Sequence, residues 1–271
     1  MKKITIISII LLSLIVIVSC SNEQKKANNT HEISPKNQVT NKKDCNNVHW
    51  SHHKGHDGPE NWKNLCEGFS DCGGNSQSPI DINNAEIDQE LKALDFNYNK
   101  TNVDIINNEH TVQFNVDKGN KVNLNGKEYE LLQFHYHALS EHTINGKHYP
   151  IEVHFVHKHS DNDLAVLGVM FVEGKKNELF EKYLDKFPTE KGEYKSGETI
   201  DLLNLFPENK SYFYYNGSLT TPPCTEIVNW YVLKNPVEAS KEQIEKFSKI
   251  LNNNYRPVQA LNGRTVKLYK E

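Results

Sequence analysis

Two histidines separated by one residue stand in the segment Gln133-Phe-His135-Tyr-His137. Side chains of a β-strand alternate between its two faces, so on a strand Gln133, His135 and His137 share one face. Neutral imidazole nitrogens are good ligands for zinc and for other transition metals. Such a pair by itself is more typical of surface histidines, so a third ligand is needed before a metal site is favoured.

A third histidine follows after a short excursion, in Glu152-Val-His154-Phe-Val156. Glu152, His154 and Val156 share a face of this second predicted strand. If the two strands pair antiparallel, the three imidazoles converge on one point. Three neutral nitrogens around one open position are typical of a catalytic zinc site, although copper, nickel and cobalt also accept imidazole.

Polar residues near these histidines fit a supporting role. A metal-bound imidazole usually donates its other N–H to an oxygen, which fixes the tautomer of the ring. Gln133 and Glu152 each precede a candidate ligand by two residues and lie on its face. We therefore expect them to orient the ligand rings.

The remaining histidines fit other interpretations. His157 and His159 fall on the opposite face from His154, and we expect them to be hydrogen-bonded structural groups. Four more histidines lie in a Gly-containing segment, where a solvated surface is favoured over adventitious metal binding: His49, His52, His53 and His56.

The elements that position these residues are mainly β-strands. Short alternating runs broken by Asn and Gly predict a mostly antiparallel sheet, with strands at residues 112–116, 121–124, 152–156 and 228–233. The apolar run 164–172 predicts a central strand that is buried on both faces. Peripheral helices are predicted at residues 178–187 and 241–253, the second with a capping box formed by Ser240 and Gln243.

The first residues predict export. Lys2 and Lys3 precede an apolar run at residues 4–18, which is shorter than the roughly 20 residues needed to span a bilayer. The run ends in Ser19-Cys20 and resembles a bacterial lipobox. We expect residues 1–20 to be a signal peptide and Cys20 to carry a lipid. This predicts a periplasmic or cell-surface protein whose membrane contact is this anchor; an ordinary signal peptide or an uncleaved anchor is the alternative.

Composition defines the rest of the chain. Residues 21–47 are polar and predict a flexible tether, and residues 48–271 predict one domain. The chain has 271 residues and a net charge of −4, which gives no electrostatic reason to expect a nucleic-acid partner.

From residue 49 onward the sequence resembles the α-class carbonic anhydrases. The matching segments occur in order across the domain: His49-Trp50, 58–62, 77–82, 107–110, 133–137, 140–142, 152–154, 164–168, 217–223 and 254–257. The resemblance implies a single domain around a large twisted sheet, with one Zn²⁺ per chain in a conical cleft. The activity it implies is reversible hydration of CO2 to bicarbonate and a proton.

The resemblance also assigns roles to residues. His135, His137 and His154 would hold zinc, and zinc-bound hydroxide would attack CO2. Thr220 would accept a hydrogen bond from that hydroxide and donate its own proton to Glu141. Substrate would contact an apolar wall and the Thr220–Thr221 pair: Val156, Leu164, Val166, Leu219, Thr220, Thr221 and Trp230.

His110 matches the family position that carries the proton to buffer. An unperturbed histidine pKa near 6.5 suits transfer in both directions. Two neighbours depart from the family pattern. Glu109 replaces a Gly, so a carboxylate there is expected to favour protonated His110. His52 replaces a common Tyr, and a second proton group is one interpretation of it.

Four cysteines remain after Cys20. The resemblance implies a disulfide between Cys72 and Cys224 that holds the loop carrying Thr220. Cys45 and Cys66 are candidates for a second bridge, with free thiols or a bond between chains as the alternative.

Two other function classes and the oligomeric state stay open. A zinc-free binding module of this family is disfavoured because His135, His137, His154, Glu141 and Thr220 are all present. A metal scavenger that uses the His-rich segment would bind several ions. Bacterial relatives are often dimers, so a homodimer is an alternative to a monomer.

Overall fold

The computed structural model describes residues 45–271. The predicted signal peptide, Cys20 and the tether up to residue 44 lie outside the described residues. None of the helices in residues 45–271 has the length and apolar character required to cross a membrane.

Strands dominate the described part of the chain. In chain order the strands are β1 (Asp81–Ile82), β2 (Glu86–Ile87), β3 (Asp95–Asn97), β4 (Thr101–Asn107), β5 (Val112–Val116), β6 (Lys121–Leu124), β7 (Lys127–His137), β8 (Thr143–Ile144), β9 (Lys147–His148), β10 (Ile151–Ser160), β11 (Asp163–Glu173), β12 (Gly192–Ile200), β13 (Tyr212–Gly217), β14 (Val228–Leu233), β15 (Val237–Ala239) and β16 (Lys267–Tyr269). The helices are α1 (Trp62–Leu65), α2 (Glu178–Leu184) and α3 (Lys241–Leu251), with 3₁₀ helices at Glu67–Gly73 and Leu202–Leu205.

One large sheet organises the domain. Its strand order is β12-β4-β5-β7-β10-β11-β14-β13-β16-β2, while β15 pairs with β11 and β6 joins β3 to β7. Most neighbours are antiparallel; β14 and β15 run parallel to β11, and β2 runs parallel to β16. A small sheet, β1-β8-β9, accompanies it. The predicted β-rich, mostly antiparallel single domain is confirmed.

Alternation along β7 and β10 separates a packed face from a polar face. Phe134, Tyr136 and Phe155 lie in the larger hydrophobic core, which α2 and α3 cover with Phe180 and Phe247. The histidines of the same strands occupy the alternate positions. The aromatic residues between the histidines thus fix which face of the sheet carries the polar groups.

The predicted strands and helices match the structure closely, except at the helix ends. Helix α2 ends at Leu184, three residues before the predicted end, with Asp185 as its C-cap. Pro188 further along disfavours helical backbone at Phe187. Helix α3 ends at Leu251 because Asn252 and Asn253 adopt left-handed backbone, with φ of 45° and 59°. The capping box of Ser240 and Gln243 is present.

The segment before α1, residues 45–61, is called the N-terminal loop below. Disulfides join Cys45 to Cys66 and Cys72 to Cys224, so both predicted pairs are formed. The cysteines belong to a small hydrophobic cluster around the fully buried Trp62. These two bonds attach the N-terminal loop and the loop that carries Thr220 to the same cluster.

Candidate metal centre

Strands β7 and β10 bring the three predicted histidines together. His135 lies directly opposite His154 in the antiparallel register, and Glu152 lies opposite His137. The ring centroids are 5.0 Å apart for His135–His137, 5.4 Å for His135–His154 and 4.5 Å for His137–His154. One nitrogen from each ring lies within 4.8 Å of the other two. This spacing permits all three rings to contact one ion.

Oxygen acceptors fix the orientation of these rings. Nδ1 of His135 donates to Oε1 of Gln133 at 2.9 Å, and Nδ1 of His137 donates to the carbonyl oxygen of Asn254 at 2.7 Å. Because both acceptors take the Nδ1 proton, Nε2 of each ring is the nitrogen left for a metal. In His154 the two ring nitrogens exchange these roles. Its Nε2 lies 2.9 Å from Oε1 of Glu152, so Nδ1 is the nitrogen left for a metal.

Glu152 is the centre of a buried polar network. Its Oε2 accepts the backbone N–H groups of Glu141 and His142 at 2.8 and 2.9 Å, and its Oε1 lies 2.8 Å from Nδ1 of His142. Burial alone would raise the pKa of Glu152, but His142 and His154 hold it well below its usual value. A carboxylate that is ionised and fixed in this way holds the ring of His154.

Nε2 of His137 and Oε2 of Glu141 are buried, lack a hydrogen-bond partner among the described residues and lie 3.6 Å apart. A buried polar atom without a partner costs roughly 1–3 kcal/mol. Burial lowers the pKa of His137 and His135, which favours the neutral imidazoles that bind metals. The histidine nitrogens therefore fit a zinc ion.

The predicted hydrogen bond between Thr220 and Glu141 is not formed in the structure. Both residues are buried, but only Oε1 of Glu141 is occupied, by the backbone N–H of Arg256 at 2.8 Å. Oε2 instead points toward the histidines and lies 3.7 Å from Nδ1 of His154. Arg256 is thus a residue at this site that the sequence interpretation did not name.

A cavity of about 150 Å³ adjoins the histidines and is lined by Gln133, His135, His137 and Thr221, among others. The residues predicted as an apolar wall belong to one hydrophobic cluster on this side of the sheet, with Val166 and Trp230 buried and Val156, Leu164 and Leu219 partly buried. The ring of Trp230 lies 4.8 Å from that of His154.

Comparisons with known proteins agree with this geometry. The model of the eukaryotic-type carbonic anhydrase family matches residues 57–270. The chain belongs to this family, the α-class carbonic anhydrases. The carbonic anhydrase of Neisseria gonorrhoeae is 41% identical over 224 residues, which cover 82% of this chain and 88% of that protein.

Solved structures of other carbonic anhydrases share the fold. The α-carbonic anhydrase of Thermovibrio ammonificans, in complex with the inhibitor sulfanilamide, has a TM-score of 0.78 and 45% identity, and the match covers 81% of this chain and 99% of that one. A hyperthermostable carbonic anhydrase from a hydrothermal vent chimney has a TM-score of 0.78 and 44% identity, covering 82% of this chain and 100% of that one. The family supports CO2 hydration as the activity of this carbonic anhydrase.

His110 lies at the rim of the metal cavity in this carbonic anhydrase. Burial, with smaller effects of His49 and Lys191, lowers the pKa of His110, whereas Glu109 raises it. The expectation that Glu109 favours protonated His110 is therefore outweighed. Glu109 itself pairs with Lys191 at 3.0 Å and has left-handed backbone, with φ of 74°.

His52 lines the same cavity and is not the solvated residue that the sequence suggested. Its Nε2 is buried and has no partner among the described residues. Burial, followed by the nearby His137 and His110, lowers the pKa of His52 to about 3. A lowered pKa favours neutral His52 near neutral pH, and its role as a second proton group stays a prediction.

Asn254 is a further residue that the strand pattern did not indicate. Besides its carbonyl contact with His137, its Nδ2 donates to the carbonyl oxygens of His110 and Tyr136, both at 3.0 Å, and its Oδ1 accepts the N–H of Ala138 at 3.0 Å. Its position in the family-like segment 254–257 was the signal that could have found it. Asn254 links the metal ligands to the residue at the rim.

The other histidines occupy the predicted structural and surface roles. His157 is buried and bonded to Tyr98 and to the carbonyl oxygen of Phe155, and His159 contacts the carbonyl oxygen of Glu128. His49 pairs with Asp57 at the surface. Among residues 45–271, the second group with metal-ligand spacing is His142, Glu152 and His154, whose polar atoms already contact one another.

Proposed function

We propose that this carbonic anhydrase hydrates CO2 reversibly, with one Zn²⁺ per chain held by His135, His137 and His154. The observation that carries the proposal is the convergence of one nitrogen from each ring within 4.8 Å. A zinc ion in such a site lowers the pKa of a coordinated water, which makes a hydroxide nucleophile available near neutral pH. Gln133, Glu152 and the carbonyl oxygen of Asn254 keep the three rings in the required orientation.

Glu141 and Thr220 are proposed to orient the nucleophile. Oε1 of Glu141 is fixed by the N–H of Arg256, whereas the buried Oε2 has no partner among the described residues and lies 3.6 Å from Nε2 of His137. We propose that Oε2 turns away from the histidines to accept a hydrogen bond from the Thr220 hydroxyl when the histidine nitrogens hold a metal. A hydroxyl that donates to a carboxylate keeps its lone pairs for the attacking group, so this arrangement would select one direction of attack. The buried positions of both residues support this role.

CO2 is proposed to dock on the apolar side of the site. CO2 carries no net charge and accepts hydrogen bonds weakly, so a dry surface beside the reacting atoms suits it. Val166 and Trp230 belong to one hydrophobic cluster there, and Val156, Leu164 and Leu219 pack against it. Thr221 lines the cavity on its polar side, where bicarbonate would contact it.

His110 is proposed to carry the proton to buffer. The half-buried ring lies at the cavity rim and remains able to exchange with solvent. Because its pKa is lowered from 6.5, the ring is mostly neutral near pH 7 and is ready to accept a proton.

Export and lipid attachment are proposed from the first 20 residues, with Cys20 as the lipidated residue. Labelling of growing cells with a radioactive or clickable fatty acid tests this proposal. Cys20→Ala should abolish the label; a label that persists in this variant would contradict the assignment.

Metal analysis and stopped-flow CO2 hydration test the proposed activity on the protein without residues 1–20. The expected result is one zinc per chain, activity that disappears with a chelator, and recovery on zinc addition. His137→Ala should lose metal and activity together. Zinc-loaded wild-type protein that does not hydrate CO2, or His137→Ala that retains a full zinc and full activity, would contradict the proposal.

A further inference from the structure

A second and larger cavity, of about 730 Å³, lies between the N-terminal loop and two later segments. Its lining includes His52, Lys54, Glu60, Lys63, Gln77 and Arg256. His52 lines this cavity as well as the metal cavity. The volume is in the range of about 300–1,000 Å³ that is usual for sites of small organic ligands. We call it the cationic cavity.

The lining contains three cationic side chains, those of Lys54, Lys63 and Arg256, and one carboxylate, that of Glu60. Lys54 and Lys63 are exposed, whereas Arg256 is only 1% exposed. Among residues 45–271, none of these three cations forms an ion pair within 4.0 Å of a carboxylate. The lining therefore carries an excess of positive charge without a contacting counter-charge, and this favours an anionic ligand.

The surroundings of Arg256 strengthen this argument. Its Nη1 donates to Oε1 of Gln77 and to the carbonyl oxygen of Ser78, both at 2.8 Å, and its Nη2 donates to the carbonyl oxygen of Cys72 at 3.0 Å. All these acceptors are uncharged, and Nε is buried without a partner among the described residues. Burial lowers the pKa of Arg256 to about 10, so the guanidinium stays charged near neutral pH. Glu141 attracts this charge without contacting the guanidinium, and the Trp62 ring lies 5.4 Å from it. A buried cation without a contacting carboxylate is stabilised by an anion nearby.

The cavity also has apolar surface from Pro59, Pro257 and Ala260. Two exposed lysines and a buried arginine are spread over different segments, and a single small inorganic ion contacts such a set poorly. A carbon skeleton with several carboxylates can reach separate cations and cover the apolar surface. We propose that the cationic cavity is a binding site for a small polycarboxylate.

Arg256 connects this cavity to the metal centre. The same residue that lines the cavity donates its backbone N–H to Oε1 of Glu141 at 2.8 Å. His52 forms a second connection, because it lines both the cationic cavity and the metal cavity. An occupant of the cationic cavity is thus placed to change the position of Glu141, and with it the rate of CO2 hydration.

Isothermal titration of the zinc-loaded protein with tricarballylate tests the proposal. Saturation with sulfanilamide, an inhibitor bound in the structure of the Thermovibrio relative, keeps the probe from the metal. The expected result is one site per chain with a Kd below about 1 mM, weakened by added salt. The double variant Lys54→Gln and Lys63→Gln should weaken binding at least about tenfold, which is the loss of about 1.4 kcal/mol.

Matched controls are Lys100→Gln with Lys118→Gln, two exposed lysines outside the cavity, and the neutral trimethyl ester of the probe. The lysine control should bind tricarballylate as the wild type does, and the ester should not bind. Three results would overturn the proposal: no binding at about 10 mM probe, equal affinity in the Lys54→Gln and Lys63→Gln variant, or binding that sulfanilamide abolishes. The last result would place the probe at the metal.

Discussion

The indole ring of Trp50 lies parallel to the imidazole of His110, with ring centroids 3.8 Å apart and an interplanar angle of 12°. Trp50 belongs to the N-terminal loop, whereas His110 stands between β4 and β5. Trp50 packs in turn edge-on against the buried Trp62, at 5.4 Å. A loop held by Cys45–Cys66 therefore covers one side of the ring that is proposed to carry protons.

Trp50→Ala should raise the pKa of His110 toward its usual value near 6.5. Burial is the largest cause of the lowered pKa, and the indole covers one face of the imidazole. Removal of the indole exposes the charged form to water, which stabilises it. NMR titration of the His110 ring protons in metal-free protein measures the shift, with His110→Ala identifying the resonance.

Trp50→Phe is the matched control because it keeps an aromatic ring over the imidazole. This variant should leave the pKa of His110 closer to that of the wild type than Trp50→Ala does. An unchanged or lower pKa in Trp50→Ala would show that burial of His110 comes from other neighbours.

His110→Ala should retain zinc but slow turnover roughly a hundredfold at low buffer concentration. The ring has no part in holding the metal, so metal content reports on folding and turnover reports on proton transfer. Stopped-flow CO2 hydration with increasing imidazole should restore most of the rate. If imidazole has no effect on the variant, the proton leaves by another route.

The face that each ligand occupies was predictable from strand period, whereas the pairing of the two strands was an assumption and the family resemblance assigned the zinc role. Phe134 and Tyr136 commit one face of β7 to the core, so His135 and His137 must face the other way. The β-bulge between Val156 and His157 interrupts the register only after His154, and the parity argument holds for the ligands.

Contacts between distant segments were not predictable from local pattern. The acceptor for His137 is a backbone carbonyl 117 residues away, and any residue type at position 254 supplies one. The burial of His52 depends on its packing with Trp50 and Trp62, which its polar sequence neighbours do not indicate. Family resemblance, rather than periodicity, is what pointed to the segment 254–257.

Gln133→Ala should weaken zinc binding roughly 10- to 100-fold. The substitution removes the oxygen that accepts from Nδ1 of His135, so the ring loses its fixed tautomer and orientation. Competition with a chromophoric chelator measures the affinity. Gln113→Ala is the control, because Gln113 lies opposite His135 on β5 but donates to Asn115. Equal zinc affinities in Gln133→Ala and Gln113→Ala would show that Gln133 does not support the metal ligand His135.

Gly168→Ala should disturb the metal centre through Glu152, because Gly168 lies opposite His154 on the neighbouring strand β11. A Cβ atom at Gly168 would lie 2.9 Å from Oε1 of Glu152, which is buried and hydrogen-bonded and cannot move freely. We expect a loss of about 1–3 kcal/mol in the free energy of unfolding and weaker zinc binding, since Glu152 contacts His154. Denaturant unfolding and the chelator assay measure these two effects.

Gly192→Ala is the control for that substitution, because its nearest neighbour would be 3.8 Å away, at the carbonyl oxygen of Glu190. Gly192→Ala should leave the free energy of unfolding and the zinc affinity nearly unchanged. Zinc affinity in Gly168→Ala equal to that of the wild type would mean that Glu152 can shift without consequence for His154.

Stability should fall with acid through the protonation of His157. Burial lowers the pKa of His157 to about 3, although the hydrogen bonds of its ring to the backbone at Phe155 and Ala165 act in the opposite direction. The unfolded chain binds the proton near pH 6.5, so between pH 6.5 and 3 it holds more protons than the folded chain. The contribution of neutral His157 to the free energy of unfolding is therefore complete above pH 6.5. It is lost progressively as the pH falls toward 3, by up to about 4–5 kcal/mol.

His157→Gln should be less stable than the wild type at pH 8, because Gln packs differently against Tyr98. Its unfolding free energy should nevertheless vary less between pH 6.5 and 4, since the titrating group is gone. His52 has a pKa lowered in the same way, so the difference between the wild-type and variant curves is the relevant quantity. His159→Gln, an exposed neighbour on β10, should keep the wild-type slope. Parallel curves for His157→Gln and the wild type would show that protonation of His157 does not drive acid unfolding.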